Sequence, residues 1–189
     1  DVTAKLLRKE WLVALVLALV FVASAERLKS APRQSISVEM QVALPLFVQV
    51  FMAVGDRHLA ANIAAIRALV VVPHQMEPEE FKILAKVQED VSWLNPAHED
   101  NYYIAFAILA QYGELDAAQT ILARASRVRF FDFQPTFFYG FNQWYYKHDP
   151  VGAATWMREA AEKLPDPNQR LTMQNLAARW MDKVQDTEL

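Results

Sequence analysis

The chain has 189 residues, a formal net charge of −3, four glycines and no cysteine. The glycines are too scattered for a phosphate-binding loop or a dinucleotide fingerprint, and a chain without cysteine has no disulfide, thiolate metal ligand or cysteine nucleophile. The negative net charge argues against nonspecific nucleic-acid binding, which requires a basic surface.

The first predicted element is an apolar helix with basic flanks. Residues 1–33 carry six basic and three acidic residues, whereas residues 34–189 carry 13 basic and 19 acidic residues. Residues 11–25 contain no charge, Gly or Pro, and a helix of this length spans about 22 Å of a hydrocarbon core about 30 Å thick. Basic side chains at both ends can reach the head groups. We therefore expect residues 1–33 to form a single-pass membrane anchor, with an apolar surface that includes Trp11, Leu12, Leu15, Leu17, Leu19 and Phe21.

Two other interpretations of this segment stay open. Ala23-Ser24-Ala25 fits the A-x-A site of a cleaved secretory signal. The segment could also be a buried helix of a soluble domain, although a stretch that is apolar on every face fits lipid better. Each flank contains three basic residues, so the positive-inside rule does not indicate the orientation of the helix in the membrane. The short N-terminal flank favours an exported domain, on the periplasmic side of a bacterial inner membrane.

Helix-forming residues dominate residues 34–189, and proline separates the apolar-periodic stretches. Asn95-Pro96, Asp149-Pro150 and Asp166-Pro167 each place a capping side chain before a proline at the first helical position. We predict an all-α domain with helices at 37–54, 57–71, 78–94, 97–112, 115–127, 135–147, 150–163 and 167–184.

The apolar stretch at 42–54 has two interpretations. It could be a second membrane segment, but Gln41 and Gln49 interrupt it and charged residues follow at once. A buried helix kinked at Pro45 is therefore preferred.

A pattern at 101–125 recurs 35 residues later. In each copy three aromatic positions are followed by a large apolar residue, a turn and two small residues seven apart. A large residue on one helix requires a small one opposite, so that the two helix axes can approach. The matched pairs are Tyr102 and Phe137, Tyr103 and Phe138, Phe106 and Phe141, Leu109 and Trp144, Ala118 and Ala153, and Ala125 and Ala160.

On these residues the chain resembles the tetratricopeptide repeat family, most clearly at 101–130 and 136–165. The shared features are the first-helix aromatic, the turn Gly113-Glu114, the two small residues of the second helix and the closing Pro165. The chain departs from the family at Phe106 and Phe141, where a small residue is expected, and at His148, where Gly is expected. The resemblance implies an α-solenoid of antiparallel helical hairpins after the anchor, and a general protein-interaction scaffold.

The resemblance also implies a binding surface, because the first helix of each hairpin lines a concave groove in this family. The corresponding residues are Tyr103, Ala107, Gln111, Phe138, Asn142, Tyr145 and Tyr146. Aromatic side chains offer a large contact area with few rotors and are enriched at binding hot spots. Helical periodicity instead places Phe138 and Tyr145 in one core-facing arc with Phe137, Phe141 and Trp144, so the two predictions disagree on these two residues.

No pattern indicates a catalytic or metal site. His58, His74, His98 and His148 are isolated, and consecutive helical residues such as His98-Glu99-Asp100 do not share a face. We predict a non-enzymatic, cofactor-free, membrane-anchored scaffold. Its expected partners are the lipid bilayer and other proteins, in particular integral membrane subunits of one larger complex, and no nucleic acid. The alternatives are a ligand-binding or enzymatic module with a pocket near Asn142 and Trp144, and a secreted soluble protein with a cleaved signal peptide.

Overall fold

The computed structural model describes residues 2–30, 44–69 and 76–185. These residues form nine helices and no strand, which confirms the all-α class. The helices are α1 (Val2–Ser30), α2 (Leu46–Met52), α3 (Arg57–Leu69), α4 (Pro78–Leu94), α5 (Glu99–Ile104), α6 (Leu115–Val128), α7 (Gln134–Tyr145), α8 (Pro150–Glu162) and α9 (Pro167–Gln185). A π-helical segment (Ala105–Leu109) continues α5. The chain divides into two compact units, Asp1–Ser37 and Val38–Leu189.

The first unit contains α1. The side chains of Trp11, Leu15, Leu17, Leu19 and Phe21 are all more than half exposed, and the side chain of Leu12 lies outside the described residues. Within the described part of the chain, no helix combines the length and the hydropathy of a membrane span. The membrane assignment of residues 11–25 therefore stays a prediction.

In the second unit the helices from α3 onwards lie close to their predicted positions, and α4 matches its predicted range fully. The prediction at Pro45 is wrong, because this proline precedes α2 instead of kinking it. Its carbonyl accepts hydrogen bonds from the N–H groups of Val48 (2.9 Å) and Gln49 (3.2 Å). The expected burial is also wrong, since no residue of α2 is buried. Residues 37–43 of that predicted helix lie outside the described residues.

Three Asx-Pro pairs were expected to begin helices, and two of them do. Asp149 accepts a hydrogen bond from the N–H of Gly152 (2.8 Å) at the start of α8, and α9 begins at Pro167. Asn95-Pro96 instead forms a turn in which the Asn95 side chain accepts from the N–H of Ala97 (3.2 Å). The helix α5 therefore starts at Glu99, two residues later than predicted.

Each helix from α2 onwards packs against the next one along the chain, α4 also packs against α6, and the π-helical segment contacts α7. The four alanines of the repeat pattern, Ala118, Ala125, Ala153 and Ala160, are at most 1% exposed. Small residues on α6 and α8 thus lie in the interior, as close packing of helix axes requires.

The small residue of each first helix lies one position earlier than the family pattern suggests. Ala105 is fully buried in the π-helical segment, which packs against α6. Gly140 is its counterpart on α7, where an added Cβ would lie 3.0 Å from Cβ of Trp156 and 3.2 Å from the carbonyl oxygen of Ala153. Phe106 and Phe141 are consequently free to turn towards other aromatic rings.

The turns within the two hairpins each contain a residue with a positive φ angle. Gly113 has φ 95° and His148 has φ 52°. A non-glycine residue in this left-handed region costs about 1–2 kcal/mol, partly offset by the larger unfolded-state entropy of glycine. We expect His148→Gly to raise the free energy of unfolding by about 0.5–1 kcal/mol and Gly113→Ala to lower it by about 1 kcal/mol, as measured by urea unfolding. A destabilised His148→Gly variant would contradict the equivalence of the two turns.

A candidate interaction surface and its polar supports

Aromatic rings connect the two hairpins of the repeat. We define the aromatic face as Tyr103, Phe106, Phe138, Phe141 and Tyr145. Phe106 stacks on Phe138 with ring centroids 4.0 Å apart and contacts Phe141 edge-on at 5.7 Å. Phe141 in turn stacks on Tyr145 at 5.6 Å, and Tyr103 meets the edge of Phe138 at 5.7 Å. The ring contacts therefore run without a gap from α5 to the end of α7.

Most of the predicted contact residues are accessible to some degree. Ala107 and Gln111 are exposed, and Tyr145 is 55% exposed. Tyr103, Phe138 and Tyr146 are half-buried and pack against the core. Each of the two conflicting predictions is therefore correct for one residue. Phe138 packs against the core, as periodicity suggested, and Tyr145 is exposed, as the family pattern suggested.

The assignment of Asn142 to the contact surface is wrong. Its side chain is 0% exposed, and its amide donates a hydrogen bond to Oε1 of Gln119 on α6 (3.1 Å). The Gln119 amide then donates to the carbonyl of Tyr139 (3.2 Å). A buried amide requires such partners because an unpaired polar group in the interior is costly. Asn142 therefore joins α7 to α6 and cannot contact a partner.

A polar network fixes the start of the aromatic face. The Tyr102 hydroxyl donates to Oδ2 of Asp132 (2.9 Å), and Nε of Arg129 donates to the same oxygen (2.8 Å). The Tyr103 hydroxyl donates to Oε1 of Gln134 (2.6 Å), while the N–H of Gln134 donates to Oδ1 of Asp132 (2.9 Å). These bonds tie α5 to the loop before α7 and so set the spacing of the rings between them.

The network shifts the ionisation of its members. Burial raises the pKa of the Tyr102 hydroxyl, and the hydrogen bond to Asp132 raises it further, so this group stays protonated. Burial alone would raise the pKa of Asp132, but hydrogen bonds from the Gln134 N–H, Arg129 and Tyr102 outweigh burial and lower it. Burial likewise raises the pKa of Tyr146. These groups hold their protonation states at neutral pH and are suited to structure rather than to proton transfer.

Lys163 lies beside two hydroxyl groups, an arrangement that also occurs in serine–lysine nucleophiles. Its Nζ donates to the Ser126 carbonyl (2.8 Å) and to Oγ1 of Thr136 (2.7 Å), and burial lowers the pKa of the amine. Ser126 and Thr136 are 3% and 0% exposed, however, and their hydroxyl groups contact each other at 2.6 Å. No substrate could reach them, so this cluster joins α6, α7 and the end of α8. No sequence pattern indicates this cluster, because its members lie 10 to 37 residues apart in the chain.

A cavity of about 810 Å³ lies between the start of α7 and one side of α9. Its apolar lining is Phe133, Phe137, Leu164, Met173 and Leu176, and its polar lining is Asn168, Gln169, Thr172, Asn175 and Arg179. Neither Asn142 nor Trp144 lines it, so this cavity is not the pocket expected of a ligand-binding module. Trp144 instead stacks on Trp180 of α9 at 5.0 Å. Phe137 borders the aromatic face, since its ring lies 5.9 Å from that of Phe138.

Among the described residues, no three acidic, histidine or cysteine side chains are grouped as metal ligands. Comparison with known proteins gives no match to the chain among family models, curated proteins or solved structures.

Proposed function

We propose that the chain is a non-enzymatic, membrane-anchored interaction scaffold, with tetratricopeptide-like hairpins stacked as an α-solenoid that holds a partner protein close to the bilayer. The continuous aromatic face is the observation that carries this proposal. Large, rigid rings in mutual contact lose little conformational entropy on binding, which is why aromatic residues dominate hot spots.

The partner surface comprises the accessible residues Ala107, Gln111 and Tyr145, with the half-buried rings of Tyr103, Phe138 and Tyr146 beneath and beside them. The small side chain of Ala107 leaves room for a partner backbone, and Gln111 supplies one donor and one acceptor. Such a surface fits an extended segment or one face of a helix from another membrane subunit. The cavity beside Phe137 would accept one apolar side chain of the same partner.

The proposed anchor is α1, which would span a bacterial inner membrane once and leave the helical domain on the periplasmic side. Its support is a row of exposed apolar side chains, among them Trp11, Leu17 and Phe21, flanked by basic residues. Moving one such side chain from water into an apolar environment gains about 1.5–3 kcal/mol. Anchoring also raises the effective concentration of any partner in the same membrane.

The scaffold is tested by capture of membrane proteins from detergent extracts with tagged chains. We expect Tyr145→Ala to reduce capture of the copurifying protein by about tenfold or more, because truncation of a hot-spot tyrosine costs about 2 kcal/mol or more. The matched control is Val151→Ala on α8, which removes a side chain that is 53% exposed and lies outside the proposed surface.

Two outcomes would contradict the proposal. Undiminished capture by Tyr145→Ala would exclude the aromatic face as the contact surface. Removal of residues 1–30 should release the chain from membranes. If both the full-length chain and the chain without residues 1–30 are monomeric in detergent and copurify with no other protein, the chain is not a subunit of a larger complex.

A further inference from the structure

The end of α2 and the turn after it expose apolar side chains. We define the apolar tip as Phe47, Phe51, Met52 and Val54. Phe51 is 83% exposed and Val54 is 94% exposed, and the other two are also more than half exposed. Phe47 and Phe51 are four residues apart and therefore share one face of α2. The tip is one of the most exposed apolar clusters of the second unit.

The backbone of the tip is strained at its most exposed residue. Val54 has φ 56°, a conformation in which a β-branched residue is an outlier. Glycine or asparagine would relieve the strain, and a polar side chain would suit exposure to water. Neither the backbone conformation nor the exposure to water favours valine at this position. Backbone strain of this kind concentrates at functional sites.

The adjoining helix α3 is apolar on two opposite sides. Ala60, Ala64 and Ala68 are buried, and α3 packs against α4. Leu59, Ile63 and Ile66, spaced four and three residues apart, line the opposite side and are exposed. Apolar residues on the side of α3 that does not pack against α4 favour a second apolar environment on that side.

The charge of the chain indicates which apolar environment this is. Residues 44–69 contain one acidic residue, Asp56, and two arginines, Arg57 and Arg67. The Asp56 carboxylate accepts hydrogen bonds from the N–H groups of His58 (2.8 Å) and Leu59 (3.1 Å). Residues 76–189, in contrast, contain 17 acidic and 11 basic residues. An anionic lipid surface would therefore attract this end of the second unit and repel the remainder.

We infer that the apolar tip inserts into the lipid interface and forms a membrane contact in addition to the α1 anchor. The inference rests on the proposed attachment of the chain to a bilayer. It is consistent with the fifteen residues between Ser30 and Leu46, which reach at most about 50 Å when fully extended. The occupant is the bilayer, and not a second copy of the chain, because the tip is apolar and residues 44–69 carry a net charge of +1 in an otherwise acidic unit.

The absence of cysteine permits a direct test in the full-length chain. Single cysteines are introduced by Phe51→Cys at the tip, Leu17→Cys on α1 and Leu171→Cys on α9, where Leu171 is 57% exposed. Each variant carries an environment-sensitive fluorophore in vesicles of phosphatidylcholine and phosphatidylglycerol, with and without lipids that bear a doxyl quencher on the acyl chain. Circular dichroism verifies that each variant keeps its helicity.

We expect the doxyl lipids to remove roughly half of the fluorescence at position 51, because interfacial side chains reach the acyl-chain boundary, and to leave position 171 unchanged. Quenching at position 17 without quenching at position 51 would overturn the inference and leave the anchor intact. Quenching at position 51 alone would support the tip and overturn the anchor. A blue shift at position 51 that occurs without vesicles and ignores the doxyl lipids would overturn the inference in favour of self-association.

Discussion

Replacing Gly140 with leucine is expected to lower the free energy of unfolding by about 3 kcal/mol. At this position α7 and α8 are so close that even a Cβ would lie 3.0 Å from Cβ of Trp156 and 3.2 Å from the Ala153 carbonyl oxygen. A leucine side chain can fit only if the two helices move apart. That movement would also loosen Met157, which is fully buried in the cluster between α8 and α9.

A graded series separates this steric effect from helix propensity. Gly140→Ala adds one methyl group in a tight space but gains about 1 kcal/mol of helix propensity, so we expect a net change within about 1 kcal/mol. Ala178→Leu introduces the same large side chain at an exposed position of α9 and should change stability by less than about 0.5 kcal/mol. Urea unfolding of the three variants and of wild type in the same detergent gives the comparison. Equal stability of Gly140→Leu and wild type would show that α7 and α8 do not pack as described.

Loss of the Asp132 carboxylate is expected to destabilise the fold by about 3 kcal/mol, because it removes the shared acceptor of the Tyr102 hydroxyl, the Arg129 Nε–H and the Gln134 N–H. Tyr102 is fully buried, and the Arg129 side chain is only 15% exposed. Asp132→Ala removes every bond to this carboxylate, whereas Asp132→Asn keeps one acceptor oxygen and should cost about 2 kcal/mol. Glu79→Ala is the matched control, since Glu79 and its partner Lys82 are both largely exposed, and exposed pairs contribute about 0–1 kcal/mol.

The same carboxylate makes stability depend on pH. Its pKa in the folded chain lies below the ordinary value of 3.8, so its contribution is complete above that value. The contribution is lost as the pH falls through the lower pKa of the folded state. Between neutral pH and acid, wild type should therefore lose more stability than Asp132→Asn. Parallel acid-unfolding curves for the two chains would show that Asp132 is not held by the network.

These two variants also bear on the proposed interaction surface. Gly140 sets the distance between α7 and α8, and Asp132 links Tyr102 on α5 to the loop before α7. Tyr103 follows Tyr102 in the chain, and Phe138 lies two residues before Gly140. Variants that weaken either link without unfolding the chain should reduce partner capture even though neither residue belongs to the aromatic face, because binding surfaces depend on the packing beneath them.

Much of the helical architecture was predictable from local properties. Helix formers separated by proline gave the positions of α3 to α9 to within a few residues, since propensity and capping act over one or two turns. Burial of Ala118, Ala125, Ala153 and Ala160 was also predictable, because a repeated small residue at helical spacing marks a close helix contact. The start of α2 was missed because Pro45 was read as a kink, although proline is equally suited to the residue before a helix.

The contact surface was less predictable. The family pattern placed Asn142 on it, but Asn142 is buried and its side-chain amide donates to Oε1 of Gln119. The π-helical segment at Ala105–Leu109 was also missed, because a segment of five residues is too short for its apolar period to be distinguished from that of an α-helix. The sequence patterns also did not identify Ala105 and Gly140 as the small residues in the first helix of each hairpin.

The sequence by itself determined the all-α class, the helix positions, the repeated pattern of large and small residues and the uneven charge, because these depend on interactions between neighbours in the chain. Only the tertiary structure decided which rings are open and which are buried, how Arg129, Asp132 and Tyr102 meet, and that the end of α2 is exposed. Those features depend on contacts between residues about 30 positions apart and on which side chains of the described residues the packing leaves exposed. Local propensity carries no information about such distances, since packing selects among several side-chain orientations that the same helix permits.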